Sequence, residues 1–133
     1  MRPRDWNAGS YERMSAPIEA MGRDVLSRLE LVGDETVLDA GCGTGRVTAA
    51  LLERLPRGRV IADDGSPSMI EQARERLGDD RVEFLVADLA ELELPERVDA
   101  VLSTATFHWV PDHDALFARL FDVLQPGGQL VAQ

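Results

Sequence analysis

Apolar and polar positions follow two periods along this chain: short, nearly continuous apolar runs of strand length, and longer stretches that repeat at helical spacing. Runs at 36–41, Arg59–Asp63, Val82–Ala87, Val98–Ser103 and Gln129–Ala132 predict five strands. Helices are predicted over 11–30, over 45–55 with Val47, Leu51, Leu52 and Leu55 on one face, and after Ser66-Pro67 with Met69, Ile70, Ala73 and Leu77. A further helix spans Asp112–Leu124, where Leu116, Phe117, Leu120, Phe121 and Leu124 recur. Ser66 reads as an N-cap with proline in the first helical position, and Pro126-Gly127-Gly128 stops the last helix before the fifth strand. Apolar strands separated by helices need cover on both faces, so the pattern predicts an α/β fold with a doubly wound parallel sheet.

Ligands of such sheets gather at the carboxyl ends of the strands, near the point where strand order reverses. Asp39, Asp63, Asp64, Asp88 and Ser103 all fall at predicted strand ends. Aspartate also favours these positions for its own local hydrogen bonds, so the clustering fits a turn role as well as a binding role.

The first strand runs into Asp39-Ala40-Gly41-Cys42-Gly43-Thr44-Gly45. Three alternating glycines permit positive φ and close approach of a ligand to backbone, and Thr44 is placed to cap the following helix, whose positive end then faces the ligand. A dinucleotide fingerprint would want glycines at 41, 43 and 46, and position 46 is Arg. A plain strand-to-helix turn is the competing reading. The spacing D-x-G-x-G-x-G resembles motif I of the class I S-adenosylmethionine-dependent methyltransferases.

Further motifs carry the same resemblance. Asp64-Gly65-Ser66-Pro67-Ser68-Met69 is similar to the family's D-x-S-P-x-M string, which implies Asp64 as the acceptor for the ribose hydroxyls and leaves the adjacent Asp63 as a departure. A carboxylate suits two hydroxyl donors; a charge favouring the helix macrodipole is the alternative. Ala87-Asp88-Leu89 resembles the segment that meets the adenine, Asp88 at its amino group and Leu89 on the ring, with Gly65 and Met69 lining the ring pocket. The resemblance assigns Asp39, Gly41, Cys42 and Gly43 to the methionine end of the cofactor. Ser103 opens the loop through Asp112 that walls the site in the resembling enzymes. Within it His108, with an ordinary pKa near neutrality, is the candidate catalytic residue that accepts a proton or orients an acceptor oxygen; a solvent-facing loop histidine is the alternative. Trp109 reads as a packing anchor and His113 as a surface residue. Trp6-Asn7 with Tyr11, and Trp109-Val110-Pro111-Asp112-His113, resemble the trans-aconitate methyltransferase group, which implies an N-terminal segment folded over the cofactor with Tyr11 in contact.

At 133 residues the chain is expected to form one domain, 1–133, with an N-terminal segment and helix over 1–30 and a Rossmann-like core over 36–133. No apolar run reaches the roughly 20 residues of a membrane span and the first residues lack a signal-peptide pattern, so a soluble, cytoplasmic protein without a membrane partner is expected. The net charge is −10 and all 14 basic residues are Arg, which disfavours nucleic acid as a partner. The single Cys42, a small side chain between two glycines, excludes an internal disulfide and a cysteine metal cage, and the two histidines lack metal-ligand spacing, so no metal is expected.

The resemblance covers nearly the whole chain and implies strand order 3-2-1-4-5 without the family's last two strands. Strand five then becomes an exposed apolar edge, giving the expectation of a fragment or a homodimer paired through that edge. The implied activity is methyl transfer from S-adenosylmethionine to a small-molecule acceptor, a carboxylate oxygen, with S-adenosylhomocysteine as product. A catalytically silent module binding the same cofactor is the alternative; a nicotinamide oxidoreductase is disfavoured by Arg46 and by the lack of a hydride-transfer residue set.

Overall fold

The computed structural model describes residues 16–78, 80–104 and 113–132. Within them the order is α1 (Ala16–Leu26), β1 (Thr36–Ala40), α2 (Arg46–Glu53), β2 (Arg59–Asp64), α3 (Pro67–Arg76), β3 (Val82–Val86), a 3-10 turn (Leu89–Glu91), β4 (Val98–Ser103), α4 (His113–Val123) and β5 (Leu124–Ala132). The strands form one sheet in the order β3-β2-β1-β4-β5, and every neighbouring pair is parallel. Strand order reverses beside β1, as the doubly wound topology requires.

Period-two alternation divides the core. Val37, Val60, Ala62, Ala100 and Leu102 face α1, α2 and α3, where they pack with Val25, Leu51, Leu55, Ile70 and Ala73. Leu38, Ala40, Ile61 and Val101 face the other way, onto Leu89, Leu92 and the Leu116, Leu120 and Val123 stripe of α4. Both faces of the central strands are therefore sealed, which is why their sequences are apolar throughout.

Several boundaries depart from the sequence reading. The first helix, expected to 30, ends at Leu26: the amides of Arg28 and Leu29 tighten onto the carbonyls of Val25 and Leu26, and Arg54 donates 2.7 Å bonds to the Leu26 and Leu29 carbonyls. An arginine thus takes the oxygens that a continuing helix would have used. The segment that follows is tied to the last strand by Gln129, whose amide accepts from the Glu30 N–H at 2.8 Å and donates to the Glu30 carbonyl at 2.7 Å. The fifth strand, expected from Gln129, begins at Leu124. Leu124 pairs with Val98, the chain bulges over the Pro-Gly-Gly stretch, and pairing resumes with Gln129 opposite Ala100. Gly128 is needed there, because a Cβ would stand 2.9 Å from the Gln125 carbonyl oxygen and 3.0 Å from that of Asp99. Among the described residues no helix is long and apolar enough to cross a membrane.

Candidate functional site

The carboxyl ends of β1, β2 and β4 bring the glycine loop together with the acids that the sequence singled out. Gly41, Gly43 and Gly45 hold φ of 81°, 57° and 91°, a region that L side chains rarely adopt. Their bare backbone is held from several sides. The Gly41 and Cys42 amides donate to the Asp63 carbonyl at 2.7 and 2.9 Å, joining the loop to the end of β2. The Gly43 N–H donates to Asp64 Oδ2 at 2.9 Å, while Asp64 Oδ1 accepts from the Ser66 N–H at 2.9 Å. Arg76 Nε donates to the Thr44 carbonyl at 2.9 Å.

The Thr44 cap expected from sequence does not form. Gly45 occupies the N-cap position in the left-handed region, and α2 has no side-chain cap. Thr44 is buried instead, and the Gly45 N-cap has no side chain with which to cap α2. The expected cap of α3 is present: Ser66 Oγ accepts from the Met69 N–H, with Pro67 in the first helical position.

Asp63 and Asp64 are adjacent in sequence and opposite in situation. Asp64, half-buried, turns its carboxylate to the glycine loop. Asp63 follows the alternation of Ile61 into the α4-side core; it is 0% exposed, and neither carboxyl oxygen has a hydrogen-bond partner among the described residues. Burial, followed by the Asp64 charge, pushes its carboxyl up to about 8. The Ala87 amide lies close enough to oppose that rise, although its hydrogen bond goes to the Asp64 carbonyl at 3.2 Å. Asp39 is also buried and raised to about 6 by desolvation, opposed by the Thr48 hydroxyl, which donates to Oδ2 at 2.6 Å, with the Asp64 charge adding to the rise.

The remaining candidates divide between site and scaffold. Gly65 and Asp88 are half-buried at the ends of β2 and β3. Met69 and Leu89 are buried, Leu89 within the α4-side core. Ser103 is buried and donates from Oγ to the Ala40 carbonyl at 2.8 Å, a tie between β4 and β1. Cys42 is a buried free thiol, pushed up by burial and by the charges of Asp39, Asp64 and Asp63, as a small inert side chain between glycines would be. Tyr11, Trp6, Asn7, His108 and Trp109 lie outside the described residues, and His113 begins α4.

Two contributors escaped the sequence reading. Thr48 looks like one more small residue on the buried face of α2, and only the fold brings its hydroxyl to Asp39. Arg76 sits on the exposed face of α3, where a charged residue reads as solvation.

Comparison with known proteins gives this arrangement a family. At the sequence level, 130 residues are 40% identical to trans-aconitate 2-methyltransferase of Methylobacterium radiotolerans, covering 97% of this chain and 49% of that protein. The Escherichia coli protein of the same name is 37% identical over 129 residues, covering 97% of this chain and 50% of its own. The chain thus spans about half the length of these curated relatives. Among solved structures, a putative methyltransferase in complex with the Haloferax volcanii Trm112 methyltransferase activator superposes with a TM-score of 0.83 at 29% identity, over 93% of this chain and 55% of that one. A SAM-dependent methyltransferase from Aquifex aeolicus gives 0.81 at 26% identity, over 96% and 72%. The signature of the family described as "Methyltransferase domain" matches residues 37–128, which run from the first residues of β1 into β5 and enclose the whole acid-and-glycine site. The chain belongs to this methyltransferase domain family.

Proposed function

We propose that this chain binds S-adenosylmethionine at the glycine loop and takes part in methyl transfer to a small-molecule acceptor, a carboxylate oxygen. The observation that carries the reading is the pairing of the three positive-φ glycines at 41, 43 and 45 with the Asp64 carboxylate bonded to their loop. The donor set fits the group: an acid for two ribose hydroxyls, the half-buried Asp88 as acceptor for an adenine amino group, and an uncapped helix start for the carboxylate of the methionine moiety. When bound, the cofactor supplies an electrophilic methyl group on a sulfonium. The protein's part is to hold the acceptor in line and exclude water, effects that reach about 7 to 11 kcal/mol in favourable cases.

The acceptor class is carried by the similarity to trans-aconitate 2-methyltransferases, whose name denotes a carboxylate-bearing substrate. Gly41, Cys42 and Gly43 are assigned to the methionine end, Gly65, Met69 and Leu89 to the ring pocket, and Tyr11 and His108 to cover and acceptor orientation. Asp39 and Ser103 support the site through Thr48 and Ala40.

Calorimetry with S-adenosylhomocysteine and with NAD tests the cofactor. Binding of the first and not the second is expected, and the reverse overturns the reading. A methyl-release screen over small carboxylic acids, trans-aconitate included, then tests the acceptor. Binding without turnover would make this chain a cofactor-holding module.

A further inference from the structure

We infer that Arg76 is a positioning residue for the glycine loop, setting from the last turn of α3 the peptide at which the loop becomes α2. Its Nε–H donates to the Thr44 carbonyl at 2.9 Å. A peptide is planar and trans, so fixing the Thr44 oxygen also fixes the Gly45 N–H, which points the opposite way and donates to the Cys42 carbonyl at 3.1 Å. One guanidinium contact therefore orients both faces of the peptide that closes the turn.

The local chain has little else with which to set that peptide. Gly45 is the N-cap, at φ 91° and ψ 11°, and no side chain caps the helix. Three glycines in five residues leave the loop with the widest backbone freedom available to it. The constraint comes from α3, whose approach is so close that a Cβ on Gly45 would stand 2.9 Å from Leu77 Cδ1 and 3.4 Å from the Ala73 Cβ. At the end of β2, Asp64 takes the Gly43 N–H; in the last turn of α3, Arg76 takes the Thr44 carbonyl. Consecutive loop residues are thus gripped from the end of β2 and from the end of α3, one at its N–H and one at its carbonyl. Both bonds involve a charged group, which makes each stronger than its neutral counterpart.

Arg76 lies on the exposed face of α3, so its removal leaves both halves of the core intact. Its loss acts on the loop, and through the loop on whatever the loop holds. For its ligand readout the inference rests on the cofactor reading above: the loop serves the amino-acid end of the cofactor, while Asp64 and Asp88 serve the adenosine. An Arg76 variant should therefore discriminate between ligands that differ only at the amino-acid end.

The test compares Arg76→Met, Arg76→Lys and, as a control on the same helix, Arg74→Met, whose native guanidinium stacks over Phe84 at 5.1 Å. Hydrogen exchange of the amides at 41–48 is followed in the ligand-free chain, and calorimetry is run with S-adenosylhomocysteine and with 5′-methylthioadenosine, which lacks the amino-acid end. Arg76→Met is expected to speed exchange at the loop and to weaken S-adenosylhomocysteine about tenfold, the effect of one charge-assisted hydrogen bond, with methylthioadenosine held to within about twofold. Arg76→Lys, which keeps a donor, recovers most of both effects, and Arg74→Met produces neither. Unchanged exchange and affinity in Arg76→Met, or equal weakening of the two ligands, overturns the inference. If the wild-type chain binds neither ligand, the cofactor reading fails, and the exchange comparison alone decides the role of Arg76.

Discussion

Replacing Asp63 by Asn should make the chain less sensitive to pH, by an amount that follows from where the carboxyl sits. In the unfolded chain this group titrates near 3.8, and in the fold it is raised to about 8. A raised acid favours folding fully below its unfolded value, and that advantage is lost as pH climbs through the folded one. Each unit of pH between those limits removes about 1.4 kcal/mol, so the loss at pH 7 is about 4 kcal/mol. This is a large share of the 5–15 kcal/mol by which domains are ordinarily stable. Asparagine has nearly the same shape and cannot ionise. Its buried amide costs about 1–3 kcal/mol wherever it lacks partners, but that cost is constant with pH. The assay is guanidinium unfolding of wild type and Asp63→Asn at half-unit steps from pH 4.5 to 9. The difference between the two curves cancels the titrating groups that do not interact with Asp63. It should move in favour of Asn by about 1.4 kcal/mol per unit up to about pH 8 and level off above. Parallel curves across that range would refute the reasoning, because they would mean that Asp63 ionises in the fold as readily as in the open chain.

Asp64→Ala should weaken S-adenosylhomocysteine by about 1.5–3 kcal/mol in calorimetry while the chain remains folded; unchanged affinity would remove the ribose role. Thr48→Val takes away the hydroxyl that favours the ionised Asp39, so its folded value rises further above about 6. The resulting deficit, about 1–3 kcal/mol, should be small below pH 6, where Asp39 is neutral in both folds, and grow as pH rises above 6 in the same unfolding assay. Gly45→Ala introduces a side chain at φ 91° and within 2.9 Å of Leu77, so a loss of at least about 1–2 kcal/mol is expected, read as a lowered melting temperature.

Much of this architecture was legible because strand-length apolar runs and glycine spacing are local signals. Val98–Ser103 was read to the residue, and Ser66-Pro67 marked the start of α3 correctly, since a cap is set by its own few residues. Thr44 misled for the converse reason: a threonine before a helix is a common cap, but three positive-φ glycines moved the N-cap to Gly45. The start of β5 at Leu124 was hidden because Pro126-Gly127-Gly128 reads as a breaker, whereas the register with β4 absorbs it as a bulge. Aspartates at 63 and 64 were indistinguishable in sequence apart from the motif, and only the alternation of β2 sends one to the loop and the other into the core. Thr48 and Arg76 carry no sequence signal for their partners, which lie 9 and 32 positions away.

The Gln129 side chain imitates a peptide unit, offering Glu30 an oxygen and a nitrogen as a neighbouring strand would. The two residues stand 99 positions apart, so this clasp joins distant parts of the chain. The segment after the first helix and the last strand are therefore latched as a pair. Whatever loosens that strand also unseats the span that leads from the first helix to the site.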